Sequence, residues 1–179
     1  MQKPKFKNCH HDLVDENDHV IGKTTFKEIV EKNLFHRLAC AIVTNSKGEI
    51  LMQKRAPWLY TKPGMWETRI GGHVEAGETY GKAAIRELRE EMGIKIKPQE
   101  LKFILKGGKN NKRHKYFRKY YTCIYDGKIK IDPKEVSAYK WVDINKVRQF
   151  AGKKLSPGAK RGLKIYKQWR KKMTPKVSS

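Results

Sequence analysis

The chain of 179 residues carries 41 Lys and Arg against 18 Asp and Glu, a formal net charge of +23, with 38% apolar and 10% aromatic residues. That length supports one domain with a real core, and that composition is too apolar for wholesale disorder. No apolar run approaches the roughly 18 residues of a membrane span, and the start MQKPKFKNCHHDLVDEN lacks the apolar middle of a signal peptide, so a cytoplasmic protein with no membrane span is expected.

Residues 1–11 read as a flexible basic lead, 12–150 as the folded domain, and 151–179 as a basic C-terminal helix and tail packed on it. CHHD, Cys9 to Asp12, has metal-binding atoms but no matching second cluster, whereas metal sites need three or four convergent ligands. Cys9, Cys40 and Cys123 are too far apart for a disulfide framework and read as free thiols. DLVDENDHVIGKTT predicts two short strands about the turn Glu16 to Asp18, followed by a short helix over Thr25 to Lys32. LACAIV and EILMQKR flank the turn-rich Asn45-Ser46-Lys47-Gly48 and predict a core hairpin. APWLYTKPGMWETRIGG is then a long loop leading into a short strand, Glu67 to Ile70.

Five glutamates lie between Gly71 and Ile94 in this basic chain. Thr79 can cap a helix that runs through YGKAAIRELREEM, and Gly93 can end it in the left-handed conformation. Ala84, Leu88 and Met92 share one stripe with Ile85 alongside, while Glu87, Glu90 and Glu91 stand at i, i+3 and i+4 on a neighbouring face. Like charges at that spacing repel, so either solvent and cations tolerate them or a divalent metal neutralises them. On charge patterning alone, a solvated acidic face interleaved with Arg86 and Arg89 is the simpler reading.

The spacing favours the metal. From Gly72 the chain reads glycine, five residues, Glu78, seven residues, Arg86-Glu87, Leu88, Arg89, Glu90-Glu91, Met92, Gly93 and Ile94, which resembles the signature box of the Nudix hydrolases at every defined position. The preceding hairpin, PGMW and EVSAYKWVDINKV resemble the usual flanks of that family. The resemblance implies an α/β architecture, the Nudix fold, with a mixed β-sheet sandwiched between α-helices. It also implies a pyrophosphohydrolase that cleaves a nucleoside di- or triphosphate or a nucleoside diphosphate linked to another moiety. Mg2+ or Mn2+ is then held by Glu87, Glu90, Glu91 and the Gly72 carbonyl, with Arg86 orienting the glutamates. Hard divalent ions suit such oxygen ligands and neutralise a pyrophosphate under attack. Glu87 is the first candidate for general base and Glu135 the alternative. Lys54 and Arg55 are candidates for phosphate contacts, and Trp58 and Trp66, with Tyr60, for stacking on a base, although loop tryptophans more often anchor local packing.

The N-terminal half also resembles type 1 isopentenyl diphosphate isomerase, whose metal-binding histidines match His36 and His73. That enzyme needs a cysteine before the box glycine and a glutamate on a later strand. Here those places are Gly71 and the carboxylate-free YFRKYYTCIY, so His73 is expected as a loop residue or one that supports the metal ligands from behind, and His36 as a packing or capping one. A third reading, an RNA-binding or RNA 5′-end-hydrolysing protein, rests on charge. Lys102 to Tyr121 hold eight Lys and Arg and no acid, and after Asp143 there are twelve Lys and Arg and again no acid. Within SPGAKRGLKIYKQWRKKM the expected apolar stripe is Leu163, Tyr166, Trp169 and Met173, with the basic face outward. The box does not separate a nucleoside triphosphate from a nucleotide sugar, coenzyme A or a capped RNA end.

Overall fold

The structure, a computed structural model, describes residues 9–173. Strands β1 (His10–Val14) and β2 (Val20–Thr25) pair antiparallel, with Asp18 in the turn at φ 71°. Helix α1 (Phe26–Lys32) follows at once because Thr25 builds a capping box: Glu28 N donates to Thr25 Oγ1 at 3.3 Å, and Thr25 N donates to the Glu28 carboxylate at 3.0 Å. The main sheet comprises β3 (His36–Thr44), β4 (Glu49–Arg55), β5 (Trp66–Glu67), β6 (Lys102–Asn110), β7 (Lys115–Ile124) and β8 (Val136–Asp143). Its order is β5-β4-β3-β7-β6 with β8 also on β4. β3 and β7 run parallel in register from His36 opposite Tyr116 to Thr44 opposite Ile124, and the remaining pairs are antiparallel. The remaining helices are α2 (Tyr80–Met92), α3 (Val147–Ala151) and α4 (Pro157–Met173).

The sheet separates two apolar layers because successive strand residues face opposite sides. Ala39, Ala41, Val43 and Leu51 pack with Ala84, Leu88 and Met92 of α2. Ile42, Ile50 and Met52 pack with Val147, Leu163 and Tyr166 of α3 and α4. Full burial of a Leu or Ile side chain contributes about 1.5–3 kcal/mol, so both layers hold the sheet in place. The mixed sheet between helices is the architecture the sequence implied.

Four local expectations change. The turn Asn45 to Gly48 forms, but β3 and β4 pair only at Thr44 and Ile50. Beyond that point Ile70 and Gly72 take the edge of β3: Ala41 N donates to Ile70 O at 2.8 Å, Ile70 N to Ala41 O at 2.9 Å, and Ala39 N to Gly72 O at 3.0 Å. The strand expected over Glu67 to Ile70 is correspondingly reduced to Trp66–Glu67 plus a bridge at Ile70. The basic lead is shorter than expected, since His10 and His11 are already in β1 and His11 is buried; residues 1–8 and 174–179 lie outside the described residues. Finally, Leu163 and Tyr166 are buried and Trp169 packs beside them, but Met173 is 63% exposed because the core ends before the last turn of α4.

Candidate active site

The splayed strands create the site. The chain from Ile70 to Thr79 enters the gap between β3 and β4 and delivers α2 against the sheet. Lys82 N donates to the Thr79 side chain at 3.3 Å, and Gly93 ends the helix at φ 66°. A Cβ on Gly93 would sit 2.9 Å from Lys130 O, so both backbone angle and space call for glycine. The loop before the helix is fixed from outside as well: Val74 N donates to Arg37 O at 3.0 Å, Ala76 N to His10 O at 2.9 Å, and Gly77 N to the Asp12 carboxylate at 3.0 Å.

Arg86 is the hub of the acidic face. Its Nε and Nη2 each donate to the Glu78 carboxylate at 3.1 Å, Nη2 also donates to His73 O at 2.9 Å, and Nη1 donates to Glu87 at 2.7 Å and Glu90 at 3.4 Å. Such forked, charge-assisted contacts hold geometry as well as energy. Glu87 is buried and lies against the Gly72 backbone, where a Cβ would be 2.8 Å from Glu87 Oε1. Glu91, one turn on, lies beside Glu87 and Gln53. Burial, and then the Glu87 and Glu135 charges, push the Glu91 carboxyl well above the usual carboxylate range, against the Gln53 contact. Glu135, half-buried in the turn before β8, is thus brought to the same acidic cluster.

Among the described residues no three histidine, cysteine, aspartate or glutamate side chains form a ready cage for a metal. Glu87 and Glu91 are side by side, while the exposed Glu90 pairs with Arg86. The donor set nevertheless suits a hard divalent cation. It is all oxygen and anionic, it contains a like-charged pair that a cation would relieve, and Gly72 O retains a lone pair beside its bond from Ala39.

The proposed substrate contacts separate. Lys54 lines a cavity of about 570 Å³ with Ser137, Lys153 and Lys154. Arg55, its neighbour on the strand, lines a different one of about 160 Å³ with Gln53, Arg69 and Arg118, and donates to Thr61 O at 2.9 Å. Trp66 is a packing residue, edge-on to Phe150 with ring centroids 4.9 Å apart. Trp58 is 64% exposed and donates to Lys134 O at 3.0 Å, beside Glu135, and Tyr60 is exposed.

His11, noted in the sequence only as part of CHHD, joins two distant histidines. It lies 5.2 Å from His73, which is 5.1 Å from His36, with Phe26 edge-on to His73 at 4.7 Å. Burial lowers the pKa of all three, His36 to about 4 and His73 well below the ordinary value, so they pack as neutral imidazoles at pH 7. Cys9 approaches His11 at 3.7 Å, and Asp12 pairs with Arg37 at 3.3 Å instead of joining the histidines. Gly71 has φ 147°, and a Cβ there would meet Ala39 O at 2.2 Å and Cys40 Cα at 2.6 Å, so the backbone as it stands has no room for a cysteine side chain.

The NUDIX domain model matches residues 34–167. An isopentenyl-diphosphate Delta-isomerase 2 from Photorhabdus laumondii is 35% identical over 141 residues, covering 76% of this chain and 78% of that protein. An uncharacterized Nudix hydrolase from Pseudomonas aeruginosa is 40% identical over 82 residues, 46% of this chain and 48% of that one. In fold, the chain resembles a crystal structure from Deinococcus radiodurans with a TM-score of 0.71 at 24% identity, covering 88% of this chain and 98% of that one. Among the described residues, no helix is long and apolar enough to cross a membrane.

Proposed function

Since the chain belongs to the NUDIX domain family, we propose that it is a metal-dependent pyrophosphohydrolase that cleaves a phosphoanhydride bond in a nucleoside di- or triphosphate or a nucleoside diphosphate-linked compound. The observation that carries this reading is the Glu87–Glu91 pair. Two adjacent carboxylates, one pushed well above its usual range by burial and by the other's charge, sit behind an arginine that holds Glu87 and Glu78 in place. Glu87, Glu91, Glu90 and Gly72 O would hold Mg2+ or Mn2+, which supplies charge neutralisation of the phosphates and a lowered pKa for water. Arg86 fixes the orientation of Glu87, and Gln53, held by its bond to Arg69 O at 2.9 Å, lies beside Glu91. Glu87, or alternatively Glu135, accepts the proton of the attacking water. Phosphate and pyrophosphate release from nucleoside triphosphates, nucleotide sugars, dinucleoside polyphosphates, coenzyme A and capped RNA, with each metal in turn, tests the reading. No turnover of any of these with either metal would sink it.

The resemblance to isomerases is weighed against Gly71, whose surroundings leave no room for the thiol that such a reaction uses. A second reading, association with RNA or another polyanion in addition to hydrolysis, is favoured by one feature. The exposed face of α4 presents Lys160, Arg161, Lys164, Lys171 and Lys172, and the described residues of that helix include no acid.

A further inference from the structure

Two aspartates are buried in the hairpin β1–β2, which precedes residue 34, where the match to the family begins. A buried carboxylate needs partners, and a two-stranded hairpin is marginal by itself, so what these aspartates hold matters. Asp18, at φ 71° in the turn, anchors the hairpin. Its carboxylate accepts from Arg37 Nε at 2.6 Å and from the Tyr80 hydroxyl at 2.9 Å, and pairs with Lys106. Burial works against its charge, but Lys106, Arg37 and Tyr80 together hold the carboxyl below its usual range. The hairpin is thereby tied to β3, α2 and β6. Asp12 makes a different connection: one oxygen pairs with Arg37 Nη1 at 3.3 Å, and the other accepts from Gly77 N at 3.0 Å. Its neighbours hold the same loop, since His11 Nδ1 donates to Val74 O at 3.1 Å and Ala76 N donates to His10 O at 2.9 Å. Gly77 turns at φ 78°, in the region that favours glycine, and leads directly to Glu78. Glu78 accepts from Arg86 Nε and Nη2 at 3.1 Å, and Arg86 Nη1 donates to Glu87 at 2.7 Å. An unbroken path of contacts thus runs from Asp12 through Gly77, Glu78 and Arg86 to Glu87.

We propose that Asp12 is a positioning residue of the acidic site: by holding the Gly77 amide it sets Glu78 and Arg86, and through them the Glu87 carboxylate that would bind the cation. The hairpin before the matched domain then belongs to the working site and is more than a cover on it. The proposal rests on the metal-dependent hydrolase reading for the role of Glu87, but the clamp on the loop does not. Removing a group that orients a metal ligand from behind costs roughly 10–100-fold in metal affinity. Asp12→Ala deletes the acceptor for Gly77 N and leaves Arg37 its Asp18 contact. Asp18→Asn does the reverse: it weakens the anchorage on Arg37, Tyr80 and Lys106 and leaves the Gly77 bond in place.

Calorimetric titration of the full chain with Mn2+, beside thermal unfolding in metal-free buffer, for wild type, Asp12→Ala and Asp18→Asn tests this. Both variants should lower Tm, but Asp12→Ala should weaken Mn2+ about tenfold while Asp18→Asn stays within about twofold of wild type. In the turnover assay Asp12→Ala should recover kcat close to wild type once Mn2+ is raised about tenfold, a rescue that a merely destabilised fold would not show. Equal Mn2+ affinity in wild type and Asp12→Ala overturns the positioning role while leaving the hydrolase intact. Equal weakening by Asp18→Asn overturns it too, since the hairpin would then act on stability alone. Mn2+ binding that depends on Asp12 in a protein that hydrolyses nothing supports the positioning role and sinks the hydrolase, and no Mn2+ binding by wild type sinks both. Should either variant fail to fold, amide exchange in metal-free wild type decides. The Ala76 and Gly77 amides should be protected to the same degree as those of β1, and exchange as fast as that of an open loop overturns the clamp.

Discussion

Arg86→Gln removes the guanidinium that holds the acidic face together, and its cost follows from burial. The side chains of Arg86, Glu78 and Glu87 are only 14%, 15% and 11% exposed, so their pairs are largely shielded from water. Breaking a buried pair by deleting one partner costs about 3–5 kcal/mol because a charge is left uncompensated. Glu78 keeps a bond from Glu75 N at 3.2 Å, which favours the lower end, and the Glu90 pair, with Glu90 39% exposed, adds at most about 1 kcal/mol. A loss of about 3 kcal/mol is therefore expected, or a fall in Tm of roughly 6–12 °C for a chain of this size. Urea unfolding in metal-free buffer, followed by tryptophan fluorescence and circular dichroism, measures it. Arg89→Gln, exposed on the same helix, should stay within about 0.5 kcal/mol of wild type. A loss below about 1 kcal/mol for Arg86→Gln, or one matched by Arg89→Gln, would refute the view that Arg86 is a buried hub.

Glu91→Gln relieves the repulsion from Glu87, so the metal-free variant should unfold at an equal or higher temperature than wild type while losing both turnover and the stabilisation that Mg2+ or Mn2+ gives; a metal-induced Tm shift equal to that of wild type would contradict this. Because the folded pKa of His36 is depressed to about 4, its contribution to stability is present above pH 6.5 and is lost as the pH falls towards 4; thermal unfolding across that window should show the decline, and His36→Phe should flatten it. Purified protein should form no dimethylallyl diphosphate from isopentenyl diphosphate by NMR, and Gly71→Cys should destabilise the fold without creating that activity, since its Cβ meets backbone at 2.2 Å. If α4 holds a polyanion, RNA affinity by fluorescence anisotropy should fall with salt by a log–log slope of about −0.7 per phosphate on single strands. Changing Lys160, Lys164, Lys171 and Lys172 to Gln should flatten that slope. A chain ending at Gln149 would not serve this test, because it would lose Leu163 and Tyr166 from the core.

The helix α2 was legible because its signals are local: Thr79 before it, Gly93 after it, and Ala84, Leu88 and Met92 at helical spacing between them. Charge spacing in turn placed Glu87 and Glu91 together, and the Glu135 charge is felt at Glu91. What the sequence left hidden depends on partners distant in the chain. Nothing in LACAIV or EILMQKR says that Ile70 and Gly72, not β4, will occupy the edge of β3, because an apolar run specifies burial but not its pairing partner. Arg69 and Arg118 meet only through the parallel β3–β7 pairing and the insertion that follows β5. The separation of Lys54 from Arg55 had a readable signal, since neighbours on a strand face opposite sides. His11 stood out only within CHHD, and its partners His73 and His36 are too distant in the chain for spacing to join them.

The most direct test of the central claim is hydrolysis in oxygen-18 water, with the products followed by phosphorus NMR. Wild type loaded with Mg2+ or Mn2+ should place the label on a phosphate oxygen of one product, and Glu90→Gln and Glu91→Gln, with the fold retained, should release little or none. Label incorporation undiminished in both variants, or consumption of a diphosphate substrate with no label in any phosphate, would contradict the account of the acidic helix as a phosphoanhydride-cleaving site.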